Sequence, residues 1–236
     1  MHSLLQSAKH LVLPPGTEVR SVRTGLLRGL RYRIDTASRT QLYLGLDERE
    51  IHGWMRRLAR GVHAAVDVGA AEGVYTVFFL KRTPAARVFA FEPEPRGSEL
   101  EWNLEANGLL GDPRLTVRAE YVGMTRNESW LPLDALFPHL ELPCLVKVDV
   151  DGGEANVLGG AARLLAADVR WVVETHSEEL EEECAGIFAR AGLTTRVVPN
   201  AWWRMLLRDQ RTDYRGVPLA HNRWMVAYRE GASGLS

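Results

Sequence analysis

Cysteine is scarce in this chain of 236 residues: there are two, Cys144 and Cys184. They form neither a Cys-x-x-Cys pair nor any metal-ligand spacing, and no histidine cluster makes up a zinc site. The expectation is two buried thiols in a reducing compartment. Neither sign of charge dominates. Twenty-nine Lys and Arg stand against thirty Asp and Glu, a net charge of −1. That balance gives no global attraction to nucleic acid or to an anionic membrane. No apolar run reaches the roughly 18–20 residues of a membrane helix, and the start lacks the charged-then-apolar layout of a signal peptide. A cytoplasmic protein with no membrane and no nucleic-acid partner is therefore expected. The dinucleotide fingerprint Gly-x-Gly-x-x-Gly is missing too, and so is any Asn-Pro-Pro-Tyr motif.

What is present is ordinary globular composition, 46% hydrophobic and 25% charged, in a length that supports one sizeable core. Residues 1–60 hold Pro14-Pro15-Gly16, several arginines and only short apolar runs. Helical spacing appears late in this stretch, from Asp47 to Arg60, through Ile51, Trp54, Met55 and Leu58. We read it as an N-terminal arm and helix packed on a main domain of residues 61–231. In that domain short apolar runs alternate with helical patterns. Strands are expected at Ala64–Val68, Arg87–Phe91, Leu115–Ala119, Leu145–Val150, Arg170–Thr175, Thr194–Val198 and Trp224–Tyr228. Helices are expected at Val74–Leu80, Arg96–Asn107, Glu154–Ala167 and Glu178–Ala191. Such alternation predicts an α/β fold, a doubly wound and mostly parallel sheet. The long connection Pro199–Arg223 is expected to cap the substrate site. Its Trp202, Trp203 and His221 are candidate acceptor contacts, since aromatic rings stack on sugar or aromatic rings. Packing at the sheet edge explains the two tryptophans equally well. Trp130 is a similar case, and Trp171 is expected in the core.

Ligands of open parallel sheets bind beyond the carboxyl ends of the strands. Four such ends carry informative residues. The first is Asp67-Val68-Gly69-Ala70-Ala71-Glu72-Gly73, a small-residue turn into a helix whose N-terminus offers N–H donors. The second is Phe91-Glu92-Pro93; an acid here accepts from both ribose hydroxyls of a nucleoside. Together they indicate an adenosine-type ligand without separating NAD from S-adenosylmethionine. The third is Lys147-Val148-Asp149-Val150-Asp151-Gly152-Gly153-Glu154. If the strand persists, alternation points Asp149 and Asp151 to one side. These acids suit an ammonium group, an acceptor proton or a helix cap, and Asp149, Asp151 and Glu154 are hard donors for a divalent ion such as Mg2+, should one be used. The fourth is Glu174-Thr175-His176. Imidazole titrates near neutrality, so His176 is the first candidate general base, ahead of Asp149 and Asp151.

These motifs, with Asn103-x-x-x-Asn107-Gly108 and the Leu44–Glu50 segment, resemble the FkbM-type methyltransferase family across roughly residues 40–176. Ala71 stands where that family usually has Asn, and Asp151 where it has Glu. The resemblance implies a Rossmann-like class I methyltransferase fold using S-adenosylmethionine. It implies that Asp67, Gly69, Ala70, Glu72 and Gly73 line the cofactor, with Glu92 at its ribose, Glu120 near its adenine and Asp149 at its methionine end. The expected activity is O-methylation of a small-molecule acceptor, a sugar or natural product. A nicotinamide-dependent oxidoreductase and a non-catalytic S-adenosylmethionine-binding module are the competing readings. Oligomeric state is left open, a homo-oligomer included.

Overall fold

The computed structural model describes residues 16–93, 99–201 and 222–231. Seven strands form the central sheet: β3 (Ala64–Val68), β4 (Arg87–Phe91), β5 (Leu115–Arg118), β8 (Cys144–Val148), β9 (Val169–Thr175), β10 (Thr194–Val198) and β11 (Arg223–Tyr228), while β6 (Tyr121–Val122) and β7 (Trp130–Leu131) pair in parallel apart from it. Their order is β10-β11-β9-β8-β3-β4-β5. The run from β9 to β5 is parallel, and β11 lies antiparallel to both neighbours. The order reverses at β3, so the ends of β3, β4 and β8 open on one crevice.

Period-2 alternation divides these strands between two cores. On one face Ala65, Leu145, Val172 and Trp224 meet α2 (His52–Leu58), α3 (Val74–Arg82) and Leu104 of α4 (Glu99–Ala106). On the other, Val66, Val68, Val146, Val148 and Val173 meet α5 (Glu154–Gly159), α6 (Ala162–Leu165) and α7 (Glu178–Arg190). The central strands β3, β8 and β9 are buried at every position, which is why they read as continuous apolar runs.

The expected elements of the sheet are present, with three differences. The strand expected to reach Val150 ends at Val148. Asp149 N–H still donates to Val68 O at 2.9 Å, after which the chain turns through Asp151 and Gly152. Strand alternation therefore does not govern Asp151. The helix expected over Glu154–Ala167 is two short ones, broken where a Cβ on Gly160 would lie 2.3 Å from Gly123 O. The third difference lies in the N-terminal region, where a hairpin of β1 (Thr17–Ser21) and β2 (Arg31–Asp35) precedes α1 (Thr40–Leu44), a 3-10 turn at Arg49–Ile51 and α2. Asn103 of α4 and Asn107 just beyond its end bind the hairpin. Asn103 Oδ1 accepts from Arg33 N–H at 2.7 Å, and Asn107 Oδ1 accepts from Arg31 N–H at 3.0 Å. Asn103 also donates to Glu72 O at 2.8 Å, which links the hairpin to the turn after β3.

Both cysteines are buried and free, as expected, and Trp171 is fully buried. Burial pushes the Cys184 thiol up to about 12. No helix among the described residues is long and apolar enough to cross a membrane.

Candidate active site

The turn after β3 is held by its own backbone. Gly69 and Ala70 N–H both donate to Phe91 O, at 3.0 and 2.9 Å, and Gly73 N–H donates to Ala70 O at 2.7 Å. Ala71 N–H donates to Glu92 Oε2 at 2.7 Å. The Glu92 carboxylate is thereby tied to the tip of the turn. Position 69 requires glycine: its φ is +77°, and a Cβ there would meet Asp149 O at 1.8 Å. That close approach brings the ends of β3 and β8 together. Ala71 adopts a left-handed φ of +46° without being glycine, a strained conformation that asparagine tolerates better than alanine.

Asp67, Lys147 and Glu174 lie on the same sheet face. Asp67 is fully buried and accepts from Thr76 Oγ1 at 2.7 Å. Lys147 Nζ, also buried, lies 3.6 Å from Asp67 Oδ1 and 3.1 Å from Asp149 Oδ2. The Tyr75 and Trp224 rings enclose the ammonium, at 5.1 and 5.9 Å. Burial acts to depress the Lys147 ammonium, but Asp149, Asp67, Glu48 and Glu174 outweigh it and hold the group above its ordinary value. Burial pushes the Asp67 carboxyl up, against Lys147 and Thr76. For Asp149 burial is again the largest influence, yet Lys147, the neighbouring Glu174 and His176 together hold it well below the usual carboxylate range.

His176 follows β9 directly, with its side chain 6% exposed. Its Nδ1 is 2.5 Å from Glu154 Oε1, and Glu154 is fully buried. Nε2 faces Asp151 Oδ1 at 3.5 Å and Asp149 Oδ1 at 3.9 Å. Burial opposes the imidazolium, but Glu154, Asp149 and Asp151 raise His176 above its ordinary value. Ligand atoms from Asp149, Glu174 and His176 lie within 4.8 Å of one another.

His176, Asp149 and Asp151 thus come together, and Glu92, Gly69 and Ala70 share the adjoining turn. Other residues singled out by the sequence stand differently. Asp67 is sealed inside the sheet. Glu72 pairs with Arg39 at 2.6 Å, and Glu120 pairs with Arg118. Glu154 lies behind His176 rather than beside Asp149 and Asp151. Trp130 stacks on Tyr121 with ring centroids 5.0 Å apart. Trp202, Trp203 and His221 lie outside the described residues. The sequence reading gave no role to Lys147, although a lysine within an otherwise apolar strand was a legible signal for a buried ion pair.

Several solved structures share this architecture. An FkbM methyltransferase from Methylobacillus flagellatus KT superposes with a TM-score of 0.52 and 17% identity, over 72% of this chain and 44% of that one. An S-adenosylmethionine-dependent O-methyltransferase from Thermotoga maritima gives a TM-score of 0.51 and 16% identity, over 79% of this chain and 66% of that one. The fold is that of the class I methyltransferases. A precorrin-6Y C5,15-methyltransferase from Geobacter metallireducens GS-15 has it as well, with a TM-score of 0.51 and 14% identity, over 78% of this chain and 88% of that one. The chain spans less than half the length of the FkbM structure and about two thirds of the Thermotoga one. No family model matches the chain, and no curated protein matches it in sequence.

Proposed function

We propose that this protein is an S-adenosylmethionine-dependent methyltransferase acting on a hydroxyl of a small molecule, such as a sugar or natural product. The observation that carries this reading is the chemistry of the turn after β3. Dinucleotide sites point free backbone N–H groups at a pyrophosphate. Here the N–H groups of Gly69, Ala70, Ala71 and Gly73 are consumed by Phe91 O, Glu92 and Ala70 O. The Glu92 carboxylate binds this turn, and Asp149 lays its backbone carbonyl against Gly69, with its carboxylate just beyond the end of β8. An acidic turn with four of its N–H groups already used is less suited to phosphate than to a cationic nucleoside without phosphate. S-adenosylmethionine is such a ligand, and the fold shared with named methyltransferases agrees with it.

The residues fit that ligand in kind. Glu92, with one oxygen held by Ala71 N–H, has the acceptor chemistry a ribose diol requires. Asp149 is kept ionised by Lys147 and suits the ammonium of the methionine end. Gly69, Ala70 and Gly73 add no side-chain bulk between these two acids. When bound, the cofactor supplies an electrophilic methyl group on a sulfonium. The protein's own contribution is to orient an acceptor and to accept its proton. Glu154 engages Nδ1 of His176, so Nε2 and the Asp149 and Asp151 carboxylates are the groups left facing an acceptor.

The test is competitive binding of S-adenosylhomocysteine and NADH. The methyltransferase reading expects the thioether nucleoside to bind and NADH fluorescence to stay unchanged at equal concentration. Binding of NADH in preference would transfer the site to a nicotinamide-dependent oxidoreductase.

A further inference from the structure

The His176 cluster has a feature that proton transfer alone does not require. Nε2 belongs to a side chain more than nine-tenths buried, and it points at two carboxylate oxygens 3.5 and 3.9 Å away. These separations exceed an ordinary hydrogen bond. Ligand atoms about 2.0–2.2 Å from a shared tetrahedral ion lie roughly 3.3–3.6 Å from one another. The Asp151 separation falls in that range, and the Asp149 separation exceeds it by a few tenths of an ångström. Asp149 is divided between two tasks: Oδ2 accepts from Lys147, while Oδ1 faces Nε2. Glu174 brings a further carboxylate into the same group.

The far side of the imidazole supplies a second, separate observation. Metal-binding histidines commonly give their other ring N–H to a carboxylate, which fixes the tautomer and leaves the facing nitrogen free to ligate. Glu154 does this from α5, fully buried, and its Oε1 also accepts from Gly152 N–H at 3.2 Å. From these observations we propose that His176 Nε2, Asp149 Oδ1 and Glu174 hold a divalent transition-metal ion, with Asp151 at its solvent side and Glu154 as the positioning residue behind His176. The ligand set differs from a purely acidic one in its nitrogen donor. That nitrogen favours Mn2+ or Zn2+ over Mg2+. The site deepens the methyltransferase reading and rests on it for its role: with an ion bound, His176 Nε2 and Asp149 Oδ1 would serve as ligands in place of bases, and the ion would acidify an acceptor hydroxyl whose proton passes to Asp151 or water.

The experiment needs no turnover. Protein dialysed against a chelator is titrated with Mn2+, and free Mn2+ is followed by electron paramagnetic resonance without cofactor. The expected result is one Mn2+ per chain, displaced by Zn2+ and not by equal Mg2+. His176→Ala and Glu174→Gln should each weaken uptake about tenfold or more, and Glu154→Gln about 10–100-fold. If His176→Ala does not fold, judged by its far-ultraviolet circular dichroism, His176→Gln replaces it. No uptake of Mn2+ or Zn2+ at millimolar concentration overturns the proposal. Uptake that the His176 variant leaves unchanged, or that Mg2+ displaces as readily as Zn2+, overturns it too. S-adenosylmethionine binding is measured on the same samples by calorimetry. Cofactor binding without metal uptake defeats the metal site alone, and metal uptake without cofactor binding defeats the methyltransferase reading alone.

Discussion

The two faces of the central sheet are built from the same strands and obey different rules. Toward α5, α6 and α7 the strands present Val66, Val68, Val146, Val148 and Val173, a hydrocarbon surface. Toward the N-terminal region, Asp67 and Lys147 replace hydrocarbon within fully buried strands, with Glu174 beside them. A buried ion pair is a poor way to gain stability, since hydrophobic side chains of similar volume do as well or better. Asp67, Lys147 and Glu174, gathered on one face toward the strand ends beside the turn after β3, therefore indicate work at the site, while the buried Arg170 at the opposite end of β9 binds Leu58 O and Arg60 O. Lys147 joins the structural carboxylate Asp67 to the site carboxylate Asp149. It keeps Asp149 ionised against burial and ties the site to the core.

Breaking the charged face should cost more than trimming the apolar one. Lys147→Met leaves Asp67 and Asp149 without their cation and is expected to destabilise the fold by about 3–5 kcal/mol. Val146→Ala, across the sheet, should cost about 1.5–3 kcal/mol, the scale of one buried valine. Urea midpoints compare the two, and the double variant Asp67→Asn/Lys147→Met should recover part of the first loss. Equal costs would mean that the charges are not coupled.

A second difference is sensitivity to pH. The charged face is covered by the N-terminal region, where buried His52 accepts from Leu26 N–H at 3.2 Å and its Nε2 lies 3.0 Å from Asp47 O. Burial, reinforced by Arg49, lowers its pKa from 6.5 to about 4. The folded state holds this histidine neutral while the unfolded chain takes up a proton. Its contribution is complete above pH 6.5 and is lost as pH falls toward 4, by about 3 kcal/mol in all. Urea unfolding at pH 7, 5.5 and 4.5 should show the decline, and His52→Gln should flatten it. An unchanged slope in the variant would assign the effect to other groups.

The smallest expected effect is at Ala71. Replacing it with glycine removes a Cβ from a left-handed conformation and should stabilise the fold by about 0.5–1 kcal/mol, seen as a rise in Tm of roughly 1–4 °C. A lower Tm would show that the alanine Cβ contributes more packing than strain.

Much of this was legible in the sequence because the sheet interior follows simple rules. The central strands β3, β8 and β9 are largely apolar runs, and every strand of the seven-stranded sheet lies within about two residues of its expected bounds. The hairpin was also written there: Arg31-Tyr32-Arg33-Ile34-Asp35 alternates, with Tyr32 and Ile34 buried. Flanking arginines and short runs obscured it. The split of the helix at Gly159-Gly160 depends on the approach of Gly123, a contact between distant segments that no local pattern carries. In the site, type and position were readable for Glu92, Asp149 and His176, since strand ends converge in this topology. The roles of Lys147, Glu154 and Asn103 were not, because each is defined by a partner from another element. Asn103 illustrates this well: part of the quoted Asn-x-x-x-Asn-Gly motif, it serves to join β2 to the turn.

The central claim is that the acidic turn after β3 binds S-adenosylmethionine through Glu92, and calorimetry of the wild type and of Glu92→Ala tests it most directly. Binding to the wild type in the micromolar range, weakened by about 1–3 kcal/mol in the variant, is the predicted result, on the scale of hydrogen bonds to a charged group. No binding to the wild type well above micromolar concentration, or equal binding by both proteins, would contradict the account.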